Sequence, residues 1–357
     1  MQRILDPAQI EAFAERSITR VRLPDPATVF AGRATRLRSL GENHALGDYL
    51  RLMAAVADAQ QAQFDQLRGA LLSEKFADHI GQQLELAHTH RMPVLQAGGW
   101  PRQDRWRDTL KSLGAAIVGD RPPAADARAT ARGLPPAADA DARARGLPTG
   151  ADARGFPPAV YALCARIVAS SDAELDAQAG LLIAAGSGVG LSPGRSEGVD
   201  AQTAPFVMAA LQVYWAAMVS TLQVSDVAQL EVPTVCPVCG TLPVASIVRS
   251  DKRSPQGYRY LHCGLCETEW HMVRITCSHC LTTEGITYHS IEGGSEAVRA
   301  ETCGKCHTYR KILYQEKDTD VEPVADDLSS LALDLLMTEE GFHRGSGSPL
   351  LWQNSET

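Results

Sequence analysis

The sequence predicts an α+β protein: a helical N-terminal domain, then small cysteine-rich modules in tandem, then a C-terminal helix. Three observations carry that prediction. Ala-rich segments with apolar residues three and four apart recur through residues 1–118 and 158–222, the pattern of amphipathic helices. After Pro233 that period is lost, and Cys, Gly, Thr, Tyr and His become frequent. Eight of the nine cysteines lie between Cys236 and Cys306, in four Cys-x-x-Cys pairs. The 357 residues suffice for one large and one small domain, and 34 Lys and Arg against 42 Asp and Glu leave a formal charge of −8. An acidic balance argues against non-specific attachment to nucleic acid or to anionic membranes.

The first dozen residues contain Asp6, Pro7 and Glu11 with no apolar run after them, so no secretory signal is read. A helix over Ala27–Leu40 sets Val29, Phe30, Leu37 and Leu40 on one face, with Arg33, Arg36 and Arg38 between them. The next, Leu46–Leu67, repeats Leu46, Tyr49, Leu50, Met53, Val56, Phe64 and Leu67, and turns Gln60, Gln61 and Gln63 to solvent. A third covers Arg102–Leu113, with Trp106 and Leu110 inward.

Residues 121–157 differ: twelve Ala, six Pro and six Arg accompany only Leu134, Leu147 and Phe156 as large apolar side chains. Pro-Pro-Ala-Ala-Asp-Ala at 122 recurs at 135, and Arg-Gly-Leu-Pro at 132 recurs at 145. This degenerate duplication cannot bury enough surface to offset chain entropy and is read as a disordered insertion. Helices resume over Pro158–Ser170 and Asp172–Ala185, with the lone Cys164 as a buried small hydrophobe. The run Gly186–Gly194 lacks the spacing and the Lys-Ser/Thr of a phosphate loop and is read as a plain connection.

Ala204–Leu222 is apolar almost all round, as in a helix at the centre of a bundle. Its apolar stretch Phe206–Val219 has 14 residues, short of the about 20 that cross a bilayer. A cytoplasmic protein without direct membrane insertion is expected. A last helix at Asp326–Leu336 puts Leu328, Leu331, Leu335 and Leu336 on one face and acids at its positive end, with Gly341 as a stop and a ragged tail after Arg344. The expected boundaries are a helical domain at 1–120 and 158–230 around the insertion 121–157, a metal module at 231–316, a C-terminal helix at 317–345 and a tail at 346–357.

The four pairs are Cys236 and Cys239, Cys263 and Cys266, Cys277 and Cys280, and Cys303 and Cys306, with 23, 10 and 22 residues between them. Long, short, long implies two units, Cys236–Cys266 and Cys277–Cys306, offset by 41 residues at the first pair and 40 at the second. That near-identity points to duplication of one module. In Cys-x-x-Cys the chain turns back so that two sulfurs converge on one ion, and two such turns joined by a hairpin supply a tetrahedron. Gly240, Gly264 and Gly304 are placed to ease the turns, and Thr241–Val248, Tyr258–His262, Ile286–Ile291 and Ala297–Glu301 are the expected strands.

Each unit is thus predicted as a rubredoxin-like or zinc-ribbon fold, the eight cysteines holding two metal ions. Pairing within each unit is preferred to an interleaved arrangement. Metal ligation contributes folding free energy that so small and polar a module lacks. Sulfur ligands admit zinc or iron. A closed tetrathiolate site is structural or, with iron, a one-electron carrier; it is not a hydrolytic centre. Thioredoxin-type dithiols would need the pair at a helix start after a strand. His262, His271, His279, His289 and His307 are read as surface or packing residues, and Trp270 and Tyr309 as covers over the sulfurs. From Glu231 to Glu316 nine Lys and Arg meet nine Asp and Glu, so a phosphate-binding footprint is missing and no nucleic-acid partner is expected.

Four stretches carry a resemblance. They are Arg33-Ala-Thr-Arg-Leu-Arg-Ser-Leu, Cys236-Pro-Val-Cys-Gly, the run Tyr260-Leu-His-Cys-Gly-Leu-Cys-Glu-Thr-Glu-Trp-His-Met-Val-Arg-Ile-Thr-Cys-Ser-His-Cys280, and Ala325-Asp-Asp-Leu-Ser-Ser-Leu-Ala-Leu-Asp-Leu-Leu. Together they resemble the formate dehydrogenase accessory protein family, FdhE, over most of the chain apart from residues 121–157. The resemblance implies a non-enzymatic cytoplasmic maturation factor that contacts the catalytic subunit of a respiratory formate dehydrogenase. It favours iron over zinc in the two sites and carries all eight cysteines over to the family's four pairs. The alternatives are a rubredoxin-type electron carrier reducing its partner and, less favoured, a nucleic-acid-binding ribbon.

Overall fold

The computed structural model describes residues 18–119, 156–188, 198–250 and 257–352. Nearly all of the duplicated stretch and most of the Gly-rich run therefore lie outside the described residues. After one short strand the helices follow: α1 (Ala31–Gly41), α2 (Gly47–Ser73), α3 (Phe76–His79), α4 (Gly81–His90), α5 (Arg105–Val118), α6 (Pro158–Ala169), α7 (Asp172–Gly186) and α8 (Ala204–Val219). Every residue of α8 is buried, and α2, α5 and α7 pack around it. This is the central helix that its all-round apolar sequence predicts. Ser171 and Glu174 form a reciprocal capping box at the start of α7, satisfying two otherwise orphaned backbone N–H groups. The short α3 and α4 were not anticipated; α4 buries only Ala87, too little for a legible stripe.

The glutamines of α2 correct the sequence reading. Gln60 is buried, donating to Ala209 O at 2.9 Å and to Gln212 Oε1 at 3.0 Å in α8. Half-buried Gln61 accepts from Phe30 N and Ala31 N, serving the N-terminal end of α1 from a neighbouring helix. Polar side chains face inward here because they complete backbone groups that would otherwise be buried unpaired.

The sheet contains β1 (Val21–Arg22), β2 (Pro243–Arg249), β3 (Tyr258–Cys263), β4 (Glu269–His271), β5 (Ile286–His289), β6 (Val298–Cys303), β7 (Thr308–Tyr314) and β8 (His343–Arg344). Its order is β1-β4-β3-β2-β7-β6-β5, with β8 on β7. Each unit is an antiparallel meander of three strands, and the two meanders fuse through parallel pairing of β2 with β7, Ser246 opposite Ile312. The strands β4 and β7 extend each unit beyond the two expected. Trp270 and Tyr309 are thus strand residues: Trp270 Nε1 donates to Pro233 O, and Tyr309 OH to Asp334 Oδ1. The third strand uses the backbone groups that a two-stranded ribbon would leave open.

The predicted last helix is two, α9 (Pro323–Ser329) and α10 (Leu331–Glu339), broken at Ser330, whose hydroxyl donates to Asp326 O. The break rotates the apolar face. Leu333 and Met337 are buried, whereas Leu335, expected inward, is 69% exposed. Nor is the tail ragged as far as Trp352: Ser346 Oγ donates to Pro243 O, and Leu350 and Trp352 are buried.

Candidate metal centres

The sulfurs of Cys236, Cys239, Cys263 and Cys266 gather within 4.8 Å of one another, and so do those of Cys277, Cys280, Cys303 and Cys306. A tetrahedral ion with metal–sulfur bonds of about 2.3 Å sets its ligands about 3.8 Å apart. The sulfurs of Cys236 and Cys266 are 3.5 Å apart, those of Cys239 and Cys263 3.4 Å, and the matching pairs of the second quartet 3.7 Å. Both quartets therefore fit one ion each. The pairing runs within each unit, as the symmetry of the gaps suggested, and the interleaved arrangement is excluded. Cys164 stands apart, buried in α6, its thiol pushed up to about 11 by desolvation.

The turns are built by a left-handed residue directly after each pair: Gly240 (φ 78°), Glu267 (φ 64°), Leu281 (φ 63°) and His307 (φ 55°). Gly264 and Gly304, expected to ease the turns, are not in that region. Gly264 is constrained differently, since a Cβ there would lie 3.3 Å from Val244 Cβ. Next in each turn stands a threonine, Thr241, Thr268, Thr282 and Thr308, so the unit repeated four times is Cys-x-x-Cys-x-Thr. Cys236 N donates to Thr241 O and Cys277 N to Thr282 O, both at 2.8 Å, and Cys263 N to Thr268 O at 2.9 Å. The sequence reading passed over these threonines, although their repetition was visible.

The two sites are not equivalent. All four cysteines of the first are buried, whereas Cys280 and Cys306 of the second are partly exposed. In the first, Thr241 Oγ1 lies 3.2 Å from both Cys239 Sγ and Cys263 Sγ, and Thr268 Oγ1 lies 3.2 Å from Cys266 Sγ. In the second, Thr308 Oγ1 donates to Cys306 O, and Thr282 Oγ1 accepts from Glu284 N. Backbone N–H groups serve a sulfur in both sites, Leu265 and Cys266 at Cys263 Sγ and His279 and Cys280 at Cys277 Sγ, and in the second buried Arg310 donates to Ser278 Oγ at 2.8 Å inside the turn.

The first site is also sewn into the helical bundle. Leu95 N donates to Val238 O and Ala97 N to Cys239 O, while Gln212 Nε2 reaches Gly264 O at 2.8 Å. With Gln60, that makes a buried amide chain from α2 through α8 to the second turn.

Burial raises the thiols of Cys236 and Cys266 well above their ordinary range. Burial opposes ionisation of Cys263 too, but hydrogen bonds from Cys236, Cys239 and Cys266 outweigh it and hold Cys263 well below that range. A positive ion at the centre of the quartet would favour the thiolate at Cys236 and Cys266. Burial pushes Cys277 up to about 12. Such an ion would lower all of these values by coordination.

A third cluster, His262, Glu267 and Glu322, also has its ligand atoms close together. Here Arg33 supplies the cation: its buried guanidinium donates to Glu267 Oε2 at 2.6 Å and to Glu322 Oε1 at 2.9 Å. His262 Nε2 lies 3.0 Å from Glu267 Oε2, and although burial opposes its charging, Glu267 and Glu269 hold its pKa at about 9. Arg33, placed between helix contacts in the sequence reading, ties α1 to the second turn of the first site and to the cap of α9.

Helices enclosing one tetracysteine site, and a fused pair of three-strand units carrying it and a second, define a two-site tetracysteine protein of rubredoxin-like or ribbon type. Residues 18–147 and 145–231 match the FdhE N-terminal family, 235–274 the FdhE central domain and 275–351 the FdhE C-terminal domain. The chain belongs to the FdhE family. It is 36% identical over 354 residues to the FdhE homolog of Cronobacter sakazakii, covering 98% of this chain and 97% of that one. It is 37% identical over 330 residues to FdhE of Salmonella paratyphi A, covering 92% and 90%. The crystal structure of FdhE from Pseudomonas aeruginosa superposes with a TM-score of 0.68 at 31% identity, over 93% of this chain and 98% of the other.

Proposed function

We propose that this protein is a non-enzymatic accessory factor for assembly of a respiratory formate dehydrogenase, acting in the cytoplasm through contact with the catalytic subunit. Membership of the FdhE family supports the accessory role. The observation that carries the mechanism is the pair of tetracysteine clusters: Cys236, Cys239, Cys263 and Cys266 would hold one ion, and Cys277, Cys280, Cys303 and Cys306 the other. Four thiolates leave no open coordination position, so the ions organise the fold or, as iron, carry single electrons. Among the described residues no helix is long and apolar enough to cross a membrane. The helical domain would bear on the client and the metal module would stiffen or redox-tune that contact.

The test is a host lacking this protein, complemented with wild type or with Cys263→Ser/Cys266→Ser. Formate dehydrogenase activity, capture of its catalytic subunit and metal content after anaerobic purification are then measured. Wild type should restore activity and retain two ions, and the double variant should do neither. Retained activity in a metal-free variant would refute the reading. The half-exposed second site favours one alternative, an iron electron carrier that reduces its partner. Zinc in both sites, or iron that never cycles in a potential titration, would eliminate it.

A further inference from the structure

The buried ion pairs around β7 leave one charge over. Arg259 meets Glu301 at 2.7 Å, Lys311 meets Asp334 at 2.6 Å and Asp327 at 3.4 Å, and Arg344 reaches the same two aspartates. Arg310 stands among these groups, 4% exposed, and meets no carboxylate among the described residues. Four cations thus face three carboxylates. The hydrogen bonds of Arg310 go to neutral hydroxyls, from Nε to Ser278 Oγ at 2.8 Å and from Nη1 to Ser346 Oγ at 2.9 Å. A buried cation with no counter-charge is costly, so a matching anion is called for.

The second tetracysteine site adjoins it. Ser278 directly follows Cys277 inside the first turn of that site. Arg310, Cys277 and Cys303 line one cavity of about 10 Å³, room for no more than about one water. Four thiolates around a divalent ion carry a net charge of about −2. Burial, Arg259 and Arg344 lower the pKa of Arg310 to about 9 while Glu301 and Cys277 oppose the fall, so the guanidinium keeps its charge at neutral pH. In the first unit Pro237 and Trp270 occupy the positions of Ser278 and Arg310, and neither is charged.

We infer that Arg310 is the fixed counter-cation of the second metal centre. The inference rests on the reading of two tetracysteine ions and adds a residue that binds neither. An electron added to an iron already ringed by thiolates is favoured by a positive charge close by. Arg310 therefore raises the reduction potential of iron in the second site and has little influence on the first, which lies in the other unit.

Full-length protein loaded anaerobically with ferrous iron, followed by thiolate-to-iron absorption in a potential titration, tests this. Wild type should show one step for each site, and the step that Cys306→Ser displaces belongs to the second. Arg310→Met and Arg310→Gln should lower that step alone, shifting the ratio of oxidised to reduced iron about tenfold at fixed potential, or about 59 mV. Arg310→Lys, which keeps the charge, should stay within about threefold of wild type. A step unmoved in both neutral variants, both steps moved alike, or Arg310→Lys moving as far as Arg310→Met would overturn the inference. So would iron in the second site that takes up no electron. If neither neutral variant keeps the circular dichroism of wild type, Glu301→Gln decides. It removes a negative charge from the wall of the same cavity and should raise the same step; no rise would overturn the inference. Wild type that takes up iron at fewer than two sites would defeat the two-ion reading itself, and this inference with it.

Discussion

Replacing Arg33 by Met should destabilise the protein severely and loosen the first metal site in the same step. The guanidinium has no exposed surface, the Glu267 side chain is 2% exposed, and the two meet at 2.6 Å across 234 residues of sequence. Breaking a buried pair by removing one partner costs about 3–5 kcal/mol, because the remaining charge stays desolvated. His262 still faces Glu267 at 3.0 Å, so the lower end, about 3 kcal/mol, is expected. Met fills most of the vacated volume, so the loss reports the charge and not a cavity. That is a large share of the about 5–15 kcal/mol that stabilises ordinary domains.

Urea unfolding of metal-loaded protein at neutral pH measures it. The Arg33→Met/Glu267→Met double variant should be less destabilised than the single one, since it also removes the buried Glu267 charge, while Glu322 keeps its two backbone donors and His262 keeps Glu269. Glu267 directly follows Cys266 in its turn, so the single variant should also release metal to a chelator faster than wild type. A single variant within about 1 kcal/mol of wild type, or a double variant less stable than the single, would refute the reasoning.

Three further outcomes are expected. Metal should leave for a coloured chelator in two phases, and Cys277→Ser/Cys306→Ser should remove the fast one, because of the two sites the second has partly exposed cysteines; a fast phase lost instead in Cys236→Ser/Cys263→Ser would reverse the assignment. Asp327 is buried, and burial raises its pKa, but Arg344 and Lys311 outweigh that and hold it below its ordinary 3.8. Its folded value being depressed, its contribution is complete above 3.8 and fades as pH falls through the lower folded value. The stability gap between wild type and Asp327→Asn should therefore hold steady from neutrality and close only in strong acid, as read from urea midpoints at each pH. Truncation after Gly345 removes the buried Leu350 and Trp352 and should cost roughly 3 kcal/mol or more, at about 1.5–3 kcal/mol for each large buried side chain; an unchanged thermal midpoint would contradict the docked tail.

The metal quartets were legible because ligand chemistry constrains spacing. Cys-x-x-Cys is a local turn, and two turns at matched gaps leave little freedom for which sulfurs meet. The central helix was legible for a similar reason, since an all-round apolar run from Ala204 to Val219 has only one comfortable place. The fourfold Cys-x-x-Cys-x-Thr was equally local and was available to the same reading.

What remained hidden depends on partners far away in the chain. The inward positions of Gln60 and Arg33 answer to Gln212 and Glu267, 152 and 234 residues distant, and no periodicity of their own helices records that. The break at Ser330, which buries Leu333 and leaves Leu335 exposed, shifts the inward face by two residues, which a helical pattern cannot register. By itself the sequence determined which atoms could bind metal and which helix had to be central, because both follow from short-range geometry and the avoidance of water. Tertiary structure alone decided that the two units share one sheet, that one site is sealed and the other half-open, and that polar side chains point inward. Those outcomes balance desolvation against pairing between segments that meet only in the folded chain.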